Sequence, residues 1–168
     1  MHPPWTGRNP PSRTQRLLLA TDLSATSAPA TNEAFEVAGR LRAELLIVSV
    51  IDTASLRLPG GRFLARVDQV RERRQVAAQE LVQRGRREGI PVTFLVWEGE
   101  PGESILEAAS AERADMIILG SHGRGALGRM LLGSVSQRVV RLAAVPVVVV
   151  RHDADVDKGL RSSSGSDQ

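Results

Sequence analysis

A glycine-rich segment in the second half of the chain carries residue types that bind phosphate. It opens with Gly120-Ser121-His122-Gly123-Arg124-Gly125, and Gly133-Ser134-Val135-Ser136 then starts a predicted helix. Glycine lets backbone N–H groups approach a ligand, because it takes up positive φ and has no Cβ in the way. A helix N-terminus adds unpaired N–H donors and the positive end of its dipole. With the hydroxyl groups of Ser134 and Ser136 as further donors, the pattern predicts a phosphate site.

The same residues also have a purely structural interpretation. Gly120 and Gly123 are typical of a tight turn, and Ser134 is a typical helix N-cap. Two known phosphate motifs are excluded. The only Lys is Lys158, so there is no G-x-x-x-x-G-K-[ST] motif. The order Gly120-x-x-Gly123-x-Gly125 differs from the dinucleotide fingerprint G-x-G-x-x-G. Spacing alone therefore leaves phosphate binding and a plain turn both open.

Composition excludes several other kinds of site. The chain has 168 residues, 42% of them hydrophobic, which fits one globular domain. It has no Cys, so disulfides, thiolate metal sites and cysteine nucleophiles are excluded. The histidines, His2, His122 and His152, show no metal-ligand spacing. No apolar run approaches the ~18 residues of a membrane span, and Leu17 to Ala20 is too short for a signal-peptide core. We therefore expect a cytoplasmic protein.

The charge pattern argues against nucleic-acid binding. The net charge is +3, and the densest basic stretch, Arg71 to Arg87, alternates Arg with Glu, Gln and aliphatic residues. This alternation predicts the solvated face of an amphipathic helix. A nucleic-acid interface through this helix remains an alternative that strongly salt-dependent retention would reveal.

Strand and helix patterns alternate along the middle of the chain. Apolar runs predict five strands, which begin near Arg16, Glu44, Val92, Asp115 and Val145. Between them, the pattern predicts one helix capped by Ser27 and three more over about 67–88, 104–112 and 134–142. Thr53 to Arg66, with Pro59-Gly60-Gly61, is a predicted loop. The alternation predicts an α/β domain with a mostly parallel sheet, helices on both faces and right-handed crossovers.

Two predicted strands end in residues that suit a ligand site. The first is followed by Thr21-Asp22-Leu23-Ser24 and the fourth by the glycine-rich segment. Ligands of such sheets lie beyond the carboxyl ends of the strands, at the point where the strand order reverses. Asp22 is therefore a candidate ligand residue, with the alternative that it caps the following helix.

On these residues the chain resembles the universal stress protein family, in its ATP-binding branch. Gly120-x2-Gly123-x9-Gly133-Ser134 matches that family's nucleotide-binding motif, and the likeness runs from about Arg16 to Arg151. Its other elements are ATDLS at 20–24, the strand end at 50–52, Gly99-x-Pro101 and the closing VPVVVVR. The resemblance implies a Rossmann-like adenine-nucleotide-binding fold, with a single five-stranded parallel sheet of order 3-2-1-4-5 and helices on both faces. Ser49 is a departure, since many relatives have His there.

One domain is expected at 16–152. The Pro-rich N-terminal segment at 1–15 and the polar segment at 153–168 are predicted to be disordered tails.

The resemblance also implies roles for individual residues. The adenine and ribose end of the nucleotide would be held by Ala20, Thr21, Asp22 and the backbone of Val50. The ribose and α-phosphate side would be contacted by Leu119, Gly120, His122 and Gly123. The β- and γ-phosphates of ATP, usually with Mg²⁺, would be cradled by Gly133, Ser134, Val135 and Ser136. For His122, a hydrogen bond within its own loop is an equal alternative. Arg124 and Arg129 are expected to be solvated, with neutralisation of the phosphates as the alternative.

A homodimer through the last strand is the expected partner arrangement. The last strand, Val145 to Arg151, contains the continuous apolar run Val147 to Val150 at a predicted sheet edge, and such edges pair with other strands. Relatives dimerise through this strand.

The expected function is a nucleotide-occupied stress-response or signalling module. The residues show no catalytic set. Slow ATP hydrolysis or phosphotransfer, with Asp22 as a metal or water contact, is an alternative, as is a dimeric scaffold that has lost the nucleotide. The sequence does not distinguish ATP from ADP or cyclic AMP.

Overall fold

The computed structural model describes residues 14–57, 62–121 and 132–151. Its strands are β1 (Arg16–Ala20), β2 (Glu44–Ile51), β3 (Val92–Glu98), β4 (Met116–Gly120) and β5 (Val147–Val150). Its α-helices are α1 (Ala28–Leu41), α2 (Phe63–Glu88), α3 (Pro101–Ala111) and α4 (Ser134–Leu142). Apart from residues 14 and 15, the tails predicted at 1–15 and 153–168 lie outside the described residues. So do Pro59-Gly60-Gly61, His122 and Gly123.

The strands form one parallel sheet in the order β3-β2-β1-β4-β5. All four pairings are parallel, and β1 lies at the centre between β2 and β4. This confirms the predicted fold class and strand order. The order reverses between β1 and β4, so the polar segments that follow these two strands begin side by side.

Alternation along the strands divides the core into two layers. Leu17 and Leu19 of β1 face the layer formed by α1, in which Phe35 is 1% exposed. Leu18 and Ala20 face the opposite layer, formed by α3 and α4. Successive side chains of a strand point to opposite faces, so a strand buried on both sides is apolar throughout. This explains why β1 reads as a continuous apolar run.

Local hydrogen bonds at the starts of two helices differ from those predicted. Ser27 occupies the N-cap position of α1 without a side-chain cap, and its hydroxyl donates instead to the Ser24 carbonyl (2.8 Å). Ser27 is thus at the predicted N-cap position, but its side chain makes no capping bond. Helix α3 starts at Pro101, before the predicted Ser104, because the Glu100 carboxylate accepts the N–H groups of Gly102 (3.1 Å) and Glu103 (2.7 Å). Such a cap satisfies otherwise unpaired donors of the first turn.

Close packing at Gly85 generates a stability prediction. A Cβ atom there would lie 2.3 Å from Val92 Cγ2 and 2.7 Å from the Ile90 carbonyl oxygen, which is backbone and has little room to move. Gly85→Ala should therefore lower the free energy of unfolding by about 1–3 kcal/mol, as overpacking does. Urea denaturation followed by circular dichroism measures the change.

Gly39→Ala is the matched control in another helix. Its new Cβ would lie 3.7 Å from Ile90 Cδ1, an ordinary contact. Replacing a helical glycine by alanine should then raise the free energy of unfolding by about 0.5–1 kcal/mol. If both variants change stability in the same direction, the packing explanation for Gly85 is wrong.

Candidate functional site

A hydrogen-bonded turn fixes the chain where β1 ends. The Thr21 N–H donates to the Val48 carbonyl of β2 (3.0 Å), which is the last bond of the ladder on this side. The buried Thr21 hydroxyl donates to Ser27 Oγ (2.9 Å) and accepts from the Leu23 N–H (3.0 Å). Leu23 itself has a positive φ of 59°. These bonds hold the turn in a conformation that non-glycine residues rarely adopt.

Asp22 closes a second turn immediately after β1. Its Oδ1 atom accepts from the N–H (3.0 Å) and the hydroxyl (2.6 Å) of Ser24. Such Asx turns orient a carboxylate by local bonds alone. The N-cap position of α1 belongs to Ser27, so the alternative that Asp22 caps this helix is wrong.

On the other side of the reversal, hydrogen bonds tie the start of α4 to the end of β4. The Gly133 N–H donates to the Ser121 carbonyl (2.7 Å), and the Ser136 hydroxyl donates to the carbonyls of Gly120 (2.8 Å) and Ser121 (3.2 Å). The Ser136 hydroxyl, predicted as a phosphate donor, is thus engaged with the main chain. Gly133 has φ −71° and ψ 164°, so positive φ is not the reason for glycine at this position.

The first turn of α4 supplies backbone donors. Gly133 is the N-cap and Ser134, Val135 and Ser136 form the first turn. The Gln137 N–H bonds to the Gly133 carbonyl (2.9 Å), whereas N–H groups nearer the start of a helix have no acceptor within it. Val135 and Ser136 border the cavity described next, so the positive end of this helix lies beside it.

A cavity of about 470 Å³ lies at the carboxyl ends of the strands, where the order reverses. This volume is within the range of small-molecule sites. The predicted site residues that line it are Ala20, Thr21, Asp22, Val50, Leu119, Gly120, Val135 and Ser136. Gly133 and Ser134 start α4 beside it without belonging to the described lining, and His122 and Gly123 lie outside the described residues. The fold therefore brings both ends of the predicted site to one place.

The lining combines an apolar part with a few polar groups. Apolar side chains come from four different elements or loops: Val50, Leu56, Val70 and Ile105. Carboxylates come from Asp22 and from Asp52, whose Oδ1 atom accepts the Ala54 N–H (3.0 Å). Small-molecule sites typically combine a mostly apolar lining with a few oriented polar groups in this way.

Arg74 of α2 is a lining residue that the sequence analysis missed. Its Nη1 atom donates to Ser49 Oγ (3.0 Å) and to the Val50 carbonyl oxygen. The expected solvated face of α2 thus has one half-buried arginine turned into the cavity. The sequence did carry a signal for an inward-facing arginine. Arg74 lies at helical spacing within the apolar stripe formed by Val67, Val70, Ala78 and Leu81.

The described ranges contain neither a helix with the length and hydropathy of a membrane span nor a cluster of three or more His, Asp or Glu residues suited to a metal ion.

Comparison with known proteins identifies the family. The model of the universal stress protein family matches residues 13–151. Universal stress protein MJ0531 of Methanocaldococcus jannaschii is 31% identical over 146 residues, which cover 86% of each chain. Universal stress protein Rv2005c of Mycobacterium tuberculosis is 35% identical over 138 residues, and the match spans 80% of this chain but only 45% of that protein.

Solved structures share the fold. The structure of the protein MJ0577 superimposes with a TM-score of 0.71 at 26% identity, covering 82% of this chain and 95% of its own. Two more distant structures show the fold alone. One is a universal stress protein in complex with cAMP, at 23% identity and a TM-score of 0.60, with 84% of this chain and 99% of that one covered. The other is the universal stress protein of Archaeoglobus fulgidus in complex with dAMP, at 20% identity and 0.59, with 82% and 98% covered. The chain belongs to the universal stress protein family.

Proposed function

We propose that this chain binds an adenine nucleotide, ATP with Mg²⁺, and acts as a nucleotide-dependent stress-response module. The observation that carries the proposal is the cavity that joins the polar turn after β1 to the start of α4. Ligands of open α/β sheets bind at such a reversal of strand order. Relatives of the same fold in complex with cAMP and dAMP support an adenine nucleotide as the ligand class.

The base and ribose would occupy the part of the cavity between β1, β2 and α2. Apolar side chains such as Val50 and Val70 suit the faces of a purine, and the main chain of Val50 suits its polar edge. The carboxylate of Asp22 accepts hydrogen bonds of the kind that ribose hydroxyls donate. Ala20 and Thr21 complete this end at the terminus of β1.

The phosphates would lie at the start of α4. The backbone N–H groups of Ser134, Val135 and Ser136 are the donors that the helix cannot use, and the helix dipole favours an anion there. Leu119 and Gly120 line the cavity at the end of β4, the neighbour of β1 in the sheet. His122 and Gly123 are included in the proposal only because they belong to the glycine-rich motif.

A Mg²⁺ ion would be held mainly by the nucleotide. Magnesium in nucleotide sites usually keeps several waters and takes phosphate oxygens with one or two carboxylates. Of the lining carboxylates, that of Asp22 follows β1, which neighbours β4 in the sheet, and it would be the one to join the phosphate oxygens as a ligand. When bound, the ion would neutralise phosphate charge, while the chain's own residues orient the nucleotide.

We also propose a homodimer through β5. In the described sheet β5 pairs with β4 on one side, and Val147–Val150 is half-buried along its length. The carbonyls of Pro146 and Val150 accept from Ile117 and Ser121 of the β4 side. Because peptide groups alternate in direction along a strand, those of Val147 and Val149 face away from β4. An antiparallel copy of β5 would pair with these groups across a two-fold axis.

Filling the cavity should abolish nucleotide binding. Val135→Trp places an indole where Val135 lines the cavity, and forcing a ligand past it costs about 1–3 kcal/mol. Affinity for Mg-ATP should fall about tenfold or more. Nucleotide released on denaturation is identified by chromatography and mass, and calorimetry gives the affinity of the emptied protein.

Val140→Trp is the control, because Val140 lies on the same helix and is 46% exposed. It should retain near-stoichiometric ATP or ADP, as we expect of the unaltered protein. An unaltered protein that is empty and does not bind added Mg-ATP would refute the proposal and leave a dimeric scaffold as the better account.

The dimer is tested by removing one outward N–H of β5. Val149→Pro deletes a donor that faces away from β4, and proline is tolerated on edge strands. The dimer dissociation constant should rise at least about tenfold, since two symmetry-related hydrogen bonds are lost. Val149→Ala keeps the N–H and should remain dimeric. Sedimentation velocity at micromolar concentration measures both, and a Val149→Pro protein that dimerises as tightly as Val149→Ala would contradict the interface.

A further inference from the structure

The sheet has an unpaired edge at β3. The Leu45 N–H of β2 donates to the Pro91 carbonyl (2.8 Å), and the Gly99 N–H donates to the Ile51 carbonyl (3.1 Å). Peptide groups two residues apart on a strand point to the same side, so the odd-numbered residues of β3 face β2. The peptide groups that point away from β2 are those of Val92, Phe94, Val96 and Glu98. In the described residues no strand lies on that side, so these groups form a free edge.

Helix α2 runs beside this edge. Arg71 forms an ion pair with Glu98 at the end of β3, and Gly85 packs against Val92 at its start. Helix and strand therefore run side by side in opposite directions. A groove of about 340 Å³ lies between α2 and Phe94 of β3. Its residues on α2 are Gln75, Ala78, Gln79, Val82, Gln83 and Arg86.

Three glutamines give the groove a regular polar wall. Gln75, Gln79 and Gln83 follow one another at four-residue intervals on α2, which is about 6 Å along a helix. Every second residue of an extended chain advances by about 6.6 Å, so alternate side chains of a strand beside β3 would meet successive glutamines. An amide side chain both donates and accepts hydrogen bonds. The row therefore suits hydroxyl or amide side chains at alternate positions.

Arg86 sets the charge at one end of the groove. Its side chain is exposed, and among the described residues it has neither a hydrogen bond nor an ion pair. It follows Gly85 in the last turn of α2, so it lies near the start of β3. The groove from Gln75 to Arg86 is about 16 Å long, which is the length of about five residues of strand. A segment antiparallel to β3 would end at Arg86, where an acidic side chain complements the charge.

A second copy of this chain does not fit the groove. Helix α2 packs on β3 where Gly85 meets Val92. Pairing of two β3 strands would therefore place two α2 helices over strands that are about 4.8 Å apart. Packed helices need about 8–10 Å between their axes. The occupant is therefore an extended segment without a helix of its own on that face.

We propose that the groove between α2 and β3 binds an extended segment of a partner protein, which joins the sheet as a sixth strand antiparallel to β3. Its alternate side chains are polar and contact the glutamine row, and an acidic side chain at its C-terminal end pairs with Arg86. Main-chain hydrogen bonds give such strand addition its affinity, and contacts to alternate side chains give its specificity. The groove lies at the opposite edge of the sheet from β5, and its occupation is independent of the proposed nucleotide binding.

The peptide acetyl-Ser-Val-Thr-Val-Glu-amide has this pattern and serves as the probe. Its titration into isotope-labelled full-length protein, followed by two-dimensional NMR, should shift the N–H signals of Phe94 and Val96, which face outward. The N–H signals of Leu95 and Trp97 should shift much less, because these groups bond to β2. No shift at millimolar peptide, or equal shifts of both sets, would overturn the proposal.

Arg86→Met tests the acidic end of the segment. The dissociation constant of the peptide should rise about threefold, as expected for an exposed ion pair, whereas a peptide with glutamine in place of glutamate should bind both proteins equally. Arg87→Met is the matched control, because Arg87 is an exposed neighbour outside the groove lining. It should bind the glutamate peptide as the unaltered protein does. An equal loss of affinity in the two variants would contradict the pairing with Arg86.

Val96→Pro tests the main-chain pairing, since it removes one outward N–H and proline is tolerated on edge strands. The dissociation constant should rise at least about threefold relative to Val96→Ala, which keeps the N–H. If Val96→Pro does not fold, as judged by circular dichroism, the N–H shifts of the unaltered protein decide. Shifts of the Phe94 and Val96 signals with protein concentration alone would place a second copy in the groove and overturn the partner segment.

Discussion

The chain segments that follow the two central strands turn to opposite faces of the sheet. After β1 the chain enters α1 on one face, and after β4 it enters α4 on the other. Right-handed crossovers require this wherever the strand order reverses. The two helices therefore cannot cover the carboxyl ends of β1 and β4 together, and an open cavity remains between them. This divergence positions the described site residues that follow or end β1 and β4.

Short polar side chains convert that opening into a defined surface. Thr21, Ser27 and Ser49 are buried, and the hydroxyl of each is hydrogen-bonded. A buried hydroxyl without a partner costs free energy, so the network allows only arrangements that satisfy all three groups. The buried hydroxyl of Ser136 is likewise satisfied at the start of α4, where it donates to the Gly120 carbonyl. These hydrogen bonds thus fix the main chain where it turns at the site, and they orient the side chains that border the cavity.

At the opposite end of the sheet, partly exposed ion pairs connect neighbouring elements. The Arg16 guanidinium bridges Glu44 (3.0 Å) and Glu112 (3.2 Å), which links the starts of β1 and β2 to the end of α3. All three side chains are about one-third exposed, so each pair contributes little to stability. Arg74 differs, because its partners are a buried hydroxyl and a main-chain oxygen at the cavity.

Apolar periodicity in the sequence was enough to predict the strands and a mostly parallel sheet, because strand burial and crossover handedness follow from local pattern and general geometry. The strand order and eight residues of the cavity wall were predicted from the resemblance to the universal stress protein family, which rests on the glycine motif of the chain. Helix starts were harder, since the Glu100 cap and the Ser27 bonds depend on competition among nearby donors. Only the tertiary structure decided what Arg74 does. A charge at an inward helical position has no assigned partner until α2 packs on the sheet, and that packing brings the arginine to the Val50 carbonyl.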